Sequence, residues 1–251
     1  MADLTAPARF FPGEFRIGRV FTRSYAIYSA HFVTFFLLGA ISALPALLIN
    51  WNQLAQSPGR PTPGGTVLIL VGVVLSLIIG PLVQAAMLYG AFQDMRGREV
   101  RLGESIGVAL RRFLPVLGVA ICFVLAIAVG FVLLIVPALM FAAMFFVATP
   151  VCVVERLGPL ASMTRSRDLT RGHRWKVFGV VVLLTVINIV VASVLKLGLV
   201  ALAGPVLAVT GLLIWGALYG AYSALIAVVS YRDLRVAKEG IDTEQIAAVF
   251  D

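Results

Sequence analysis

Charge is scarce in this sequence: only 13% of its 251 residues are Asp, Glu, Lys or Arg, about half the share found in soluble domains. Acid is scarcer than base, with 12 Asp and Glu against 20 Lys and Arg, and no acidic residue falls inside a long apolar run. The two cysteines, Cys122 and Cys152, do lie in such runs, where a thiol acts as a small apolar side chain, so neither a disulfide framework nor a metal site follows. No HExxH, GxSxG, CxxC or Walker A motif occurs, which leaves no recognisable nucleophile, metal or nucleotide chemistry. Ser166-Arg167 followed by His173 partly matches the SRx5H element of phosphohistidine-forming membrane phosphatases. The aspartate that would orient that imidazole is replaced by Val177, and the companion Lys/Arg cluster with a second histidine is missing. The expectation is a protein that is not an enzyme and needs no cofactor.

Apolar residues make up 61% of the chain, the mean hydropathy is +1.02, and they gather in runs long enough to cross a hydrocarbon core of about 30 Å. Six spans are predicted, at residues 31–49, 66–92, 114–135, 137–154, 176–200 and 205–231. The third and fourth are contiguous. They are divided at Pro137 into a tight hairpin, because a helix of about 40 apolar residues would overrun the bilayer. The fold class is all-α: one polytopic membrane domain over 1–251, with an N-terminal segment 1–30, a six-span bundle 31–231 and a tail 232–251. Asp3, Arg9, Glu14, Arg16 and Arg19 leave no apolar core for a signal peptide, so the N-terminus is expected to be retained.

Basic residues set the orientation. Eighteen of the 20 lie before span 1, between spans 2 and 3, between spans 4 and 5, or after span 6. The remaining two are Arg60 and Lys196, and Lys196 lies about 30 Å of helix beyond Lys176. Both termini are therefore expected to be cytoplasmic. The positive balance serves topology and anionic headgroups rather than nucleic acid, and Lys196 is expected to reach back to the outer headgroups.

Three cytoplasmic segments carry helical signals of their own and are expected to lie in the interface before spans 1, 3 and 5. Ile17, Val20, Phe21, Ser24, Tyr28 and Phe32 recur at helical spacing, apart from Arg16, Arg19 and Arg23. Ile106, Ala109, Leu110 and Phe113 repeat the pattern, with Glu104 at the start and Arg111 and Arg112 at the end, matching the helix dipole. Pro159 suits the first turn of the third, which Gly172 ends. A glycine opens each segment (Gly18, Gly103, Gly158) and another sits early in each following span (Gly39, Gly118, Gly179). This suggests a threefold repeat of short helix plus hairpin.

Within the spans, small residues recur every fourth position: Gly72, Ser76 and Gly80; Gly118, Cys122, Ala126 and Gly130; Gly216, Gly220 and Ala224. Such stripes let helices approach closely. Gln84, Thr149, Thr185, Asn188 and Ser193 are the intramembrane polar residues, best explained by interhelical hydrogen bonds. A polar path along Asn188, Ala192 and Lys196 is the competing reading. Pro137 and Pro205 read as helix starts, and Pro45, Pro81 and Pro150 as sites of kinking.

The stretch Leu134-Ile135-Val136-Pro137, Thr149-Pro150, Val154-Glu155-Arg156-Leu157-Gly158-Pro159 and the run from Arg165 through Trp175 resembles the membrane domain of some bacterial glycerophosphodiester phosphodiesterases and its stand-alone relatives. The tail Tyr231-Arg232-Asp233-Leu234-Arg235 through Lys238-Glu239-Gly240 is similar as well. The resemblance implies a multi-span protein of the bacterial inner membrane. The catalytic barrel of those enzymes has no counterpart here, so no activity carries over.

The leading expectation is a non-catalytic membrane module that binds lipids, anionic phospholipids among them, or protein partners, with self-association also open. The alternative is a small-solute transporter or channel. Candidate lipid or partner contacts are Glu155, Arg165, Arg167, Asp168, Arg171 and His173, with Asp168 and Arg171 spaced for an i, i+3 pair. Candidate intramembrane polar sites are Gln84, Asn188 and Lys196. Ile241, Ile246, Val249 and Phe250 give the tail enough apolar content to dock back or bind a partner.

Overall fold

The computed structural model describes residues 15–55, 63–95 and 102–239. Arg60, the stretch 96–101 and the tail from 240 onward lie outside these. The described residues form α1 (Ile17–Ala30), α2 (Phe32–Ala55), α3 (Pro63–Met95), α4 (Leu102–Arg111), α5 (Phe113–Leu133), α6 (Ile135–Phe145), α7 (Ala148–Val154), α8 (Pro159–Thr170) and α9 (Arg174–Glu239). Six helical stretches are long and apolar enough to cross a membrane: Phe32–Asn50, Pro63–Asp94, Phe113–Leu133, Ile135–Val154, Arg174–Leu202 and Gly204–Glu239. The chain is an all-α, multi-pass membrane protein, and its outward faces carry exposed leucine, valine and isoleucine along every span.

One break differs from the sequence reading. The third and fourth spans part at Leu134, which is fully extended (φ 164, ψ 168), three residues before Pro137. Proline then sits in the first turn of α6, where its missing N–H costs nothing. The hairpin closes tightly because Gly130 lies under Ala138: a Cβ on Gly130 would stand 2.5 Å from the Ala138 Cα. The fourth span is itself interrupted, at Phe146 and Val147. Pro150 explains this, since its ring excludes the carbonyl of residue 146 and it cannot donate to it. The fifth and sixth spans are the two arms of α9, divided at Gly204 (φ 83, ψ 176), a conformation open to glycine, with Pro205 starting the second arm. The tips of these hairpins are bare of charge. Val132 and Leu202 are 87% and 88% exposed, which suits a turn within or at the edge of the apolar layer.

The spans close into a ring. α2 pairs with α3, α3 with α5, α5 with α6 and α6 with α9, and the second arm of α9 returns to α2 by placing Ala217 against Gly39 and Gly216 against Ala43. The small-residue stripes make these contacts. Gly72 faces Ile49, and Gly118 faces Pro159. Gly80 is the exception, with open space where a Cβ would stand.

All three short helices are present, and each packs mainly on the hairpin before it in cyclic order: α4 on α3, α8 on α5, α6 and α7, and α1 on α9. The repeat's glycines mark this arrangement twice. Pro159, which opens α8, sits on Gly118, and Ile17, which opens α1, sits on Gly179. Gly39 departs from it by taking Ala217 instead. α8 is more deeply engaged than an amphipathic surface helix: Ser162, Met163, Ser166, Leu169 and Thr170 are buried. The hydroxyls of Ser166 and Thr170 both donate to the Met144 carbonyl, at 2.9 and 3.4 Å.

Candidate functional site

All six spans line one central cavity of about 620 Å³, within the usual size range of small-molecule sites. Its walls are mainly apolar, with Met87, Phe123, Phe145 and Leu184 among the larger side chains. Its polar groups are Ser42, Ser76, Gln84, Thr149, Thr185, Tyr219 and Ser223. None of the lining residues is Asp, Glu, Lys, Arg, His or Cys.

Most of the hydroxyls already donate to backbone. Ser42 bonds to the Gly39 carbonyl at 2.8 Å, Ser76 to Gly72 at 2.8 Å, Thr185 to Val181 at 2.8 Å and Ser223 to Gly220 at 3.0 Å. Tyr219 reaches across the arms of α9 to the Leu184 carbonyl at 3.2 Å. These oxygens can still accept. The Gln84 amide and the Thr149 hydroxyl make no hydrogen bond among the described residues, so they are the groups able to donate to a ligand. One helix interruption borders the cavity, at the α6 to α7 break, where Phe146 and Thr149 line the wall; α3 runs unbroken through Gly80 and Pro81, which also line it.

Directly beyond the cavity, toward the end of the bundle where the short helices pack, stands a ring of polar side chains. Tyr231 follows the cavity-lining Ala227 by one turn, about 6 Å along the helix. Its hydroxyl donates to Glu155 at 3.1 Å and accepts from Arg235 at 3.0 Å. Arg165 Nε donates to Glu155 at 2.9 Å, and its other nitrogen pairs with Glu239. Arg235 Nε closes the circuit on Glu239 at 2.9 Å. The ring ties the end of α7 to α8 and to the end of α9. Burial disfavours the Arg165 cation, yet the hydrogen bonds and charges of Glu155 and Glu239 outweigh it and raise its pKa.

The structure therefore divides the cluster read from the sequence. Glu155 and Arg165 come together in the ring. Arg167, Asp168 and Arg171 face outward and are exposed. The expected Asp168 to Arg171 pair is absent among the described residues, because α8 ends at Thr170 and Arg171 turns to an extended conformation. Asp168 instead offers its backbone carbonyl to Lys238. His173 turns to Phe15, edge on at 6.2 Å between ring centroids. Its pKa is lowered by burial first and then by Lys176 and Lys238.

Of the intramembrane candidates, only Gln84 lines the cavity. Asn188 accepts a hydrogen bond from Trp215 Nε1 at 3.1 Å, joining the arms of α9, and Lys196 is not on the cavity wall. The polar path through Asn188, Ala192 and Lys196 thus does not lead to the cavity. Sequence reasoning also ended the last helix too early. It set the tail at 232, whereas α9 continues to Glu239, and the spacing of Tyr231, Arg235 and Glu239 at i, i+4 and i+8 was the available signal. A second pairing had none: His31 Nε2 and Asp94 Oδ1 meet at 2.8 Å across 63 residues, pinning the α1 to α2 junction to the end of α3.

Residues 102–234, from α4 into the last turns of α9, match the model of a family described as a domain of unknown function (DUF7847), and the chain belongs to that family. No curated protein and no solved structure matches it.

Proposed function

We propose that this chain is a non-catalytic protein of the bacterial inner membrane, with both termini cytoplasmic, that holds a lipid or similar amphiphile in its central cavity. The observation that carries this reading is the composition of the cavity wall: mainly apolar, free of ionisable acids and bases, with Gln84 and Thr149 left to donate hydrogen bonds. Such a lining takes a hydrocarbon body with one uncharged polar group and disfavours an ion, whose desolvation nothing there offsets. The excess of basic over acidic residues on the cytoplasmic face supports the inner-membrane orientation and an affinity for anionic phospholipids.

Native mass spectrometry of the protein released from a mild membrane extract tests the reading. A specific retained lipid is expected, and it should be lost in Gly80→Leu, because Gly80 opens onto the cavity with room for a side chain. Equal retention in that variant rejects the cavity as the site.

A second reading, passage of a small uncharged solute, is favoured by the helix interruption at Phe146 and Val147 beside the cavity, since broken helices build many transporter sites. Flux in proteoliposomes that Gln84→Leu abolishes would support it.

A further inference from the structure

A second pocket, of about 350 Å³, lies where α3, the α4 to α5 junction and the end of α7 meet. Tyr89, Arg111, Arg112 and Arg156 line it together with Val108 and Val153. We infer that this pocket is a binding site for a phosphate group, distinct from the central cavity and from the polar ring.

Three guanidinium-bearing residues from separate parts of the chain share one concave site, and no carboxylate is among the residues that line it. Neither Arg111 nor Arg112 forms an ion pair among the described residues. Positive charge concentrated in a concave site favours an anion there. Arginine rather than lysine suits a phosphate, because the planar guanidinium offers paired donors to two oxygens.

The backbone gives a second, independent indication. Arg156 has φ 55, just past the end of α7, where a helix terminus of this kind ordinarily carries glycine. It is the one non-glycine residue with positive φ among the described residues. A side chain kept at a position whose backbone favours none points to work done by the side chain.

The chemistry shared by the candidate ligands is a phosphate monoester or diester, and its source is either an anionic phospholipid headgroup or a soluble phosphate. The pocket lies where the second, third and fourth spans end, among the basic juxtamembrane residues that contact headgroups, which leaves either source accessible.

The test uses the full chain in nanodiscs of phosphatidylcholine, with and without phosphatidylglycerol, and separately with inorganic phosphate. Wild type is compared with Arg111→Gln/Arg112→Gln and with Arg19→Gln/Arg23→Gln, which removes equal charge from α1, outside the pocket. The pocket variant is expected to weaken phosphatidylglycerol retention, or inorganic phosphate binding, by about tenfold or more, and the outer variant by no more than about twofold. Loss confined to phosphatidylglycerol identifies the headgroup as ligand, and loss of inorganic phosphate binding identifies a soluble one. Equal effects of the two variants, or no binding of either probe by wild type, overturn the site.

Arg156→Gly guards against misfolding as the explanation. It removes a guanidinium while suiting φ 55, so the variant should bind more weakly while its circular dichroism spectrum and gel-filtration profile stay those of wild type. Unchanged binding would count against the site. The central cavity fails or stands separately, because Gly80→Leu leaves all three arginines in place.

Discussion

Tyr231 donates its hydroxyl proton to Glu155 at 3.1 Å across 76 residues of chain. The contact joins the helix that ends the sixth span to the helix that ends the fourth. Both residues also hold an arginine, so the hydrogen bond is one side of a closed circuit rather than an isolated contact. Tyr231 is fully buried. Its replacement by phenylalanine should cost about 1–3 kcal/mol, the usual effect of leaving charged groups short of a partner. Glu155→Gln should cost a similar amount. The double variant should lose less than the sum, because both changes break the same circuit. Denaturant unfolding in mixed micelles measures all three, and strict additivity would mean that the ring does not act as a unit.

Glycines in the spans should divide sharply by what lies opposite them. A Cβ on Gly39 would run into the Ala217 carbonyl oxygen, which is backbone and cannot move aside. Gly39→Val should therefore destabilise by about 3 kcal/mol or more, at the upper end for overpacking. Gly107 lies inside α4 with nothing within 4 Å, and Gly107→Ala should stabilise by about 0.5–1 kcal/mol through helix propensity. Thermal unfolding in detergent should rank the variants on opposite sides of wild type.

Acid should destabilise the protein through His173. Its folded pKa lies below the ordinary value of 6.5, from burial first and then from Lys176 and Lys238. The unfolded state therefore takes up the proton more readily. The stability held by neutral His173 is complete above about pH 6.5 and is lost as pH falls through the folded pKa. Melting temperatures followed from pH 7.5 to 5 should decline, and His173→Phe should flatten that part of the decline. An unchanged slope would place the acid sensitivity elsewhere.

Asn188 and Gln84 should separate structural from ligand-binding roles. Asn188→Leu leaves the Trp215 Nε1–H without its acceptor and should cost about 0.6–2 kcal/mol, as for other interhelical hydrogen bonds in membranes. It should leave ligand retention unchanged, because Asn188 is not on the cavity wall. Gln84→Leu should do the reverse. Unfolding and native mass spectrometry on the same two variants check both outcomes.

Sequence alone determined what depends on composition along the chain. Apolar runs must be helical and must span because the hydrocarbon core leaves backbone polar groups no other partner, so the spans and three short helices were legible to within a few residues, apart from the end of the sixth span, which runs on to Glu239. Pro159 and Gly172 bounded α8, and Pro150 marked the wall of the fourth span where it breaks. The small-residue stripes showed which faces approach closely, though not which neighbour each one meets.

Tertiary structure decided everything that joins distant residues. Glu155 and Arg165 read as one surface cluster with Arg167, Asp168, Arg171 and His173, yet Glu155 and Arg165 join the ring with Tyr231, whereas Arg167, Asp168 and Arg171 stay exposed and His173 turns to Phe15. Gln84 and Asn188 were alike as intramembrane amides. The rotation of their helices in the ring sends one to the cavity and the other to Trp215. A cavity lined by six spans, like the hydrogen bond between His31 and Asp94, belongs to no local pattern, because what creates it is the order in which the helices close on one another.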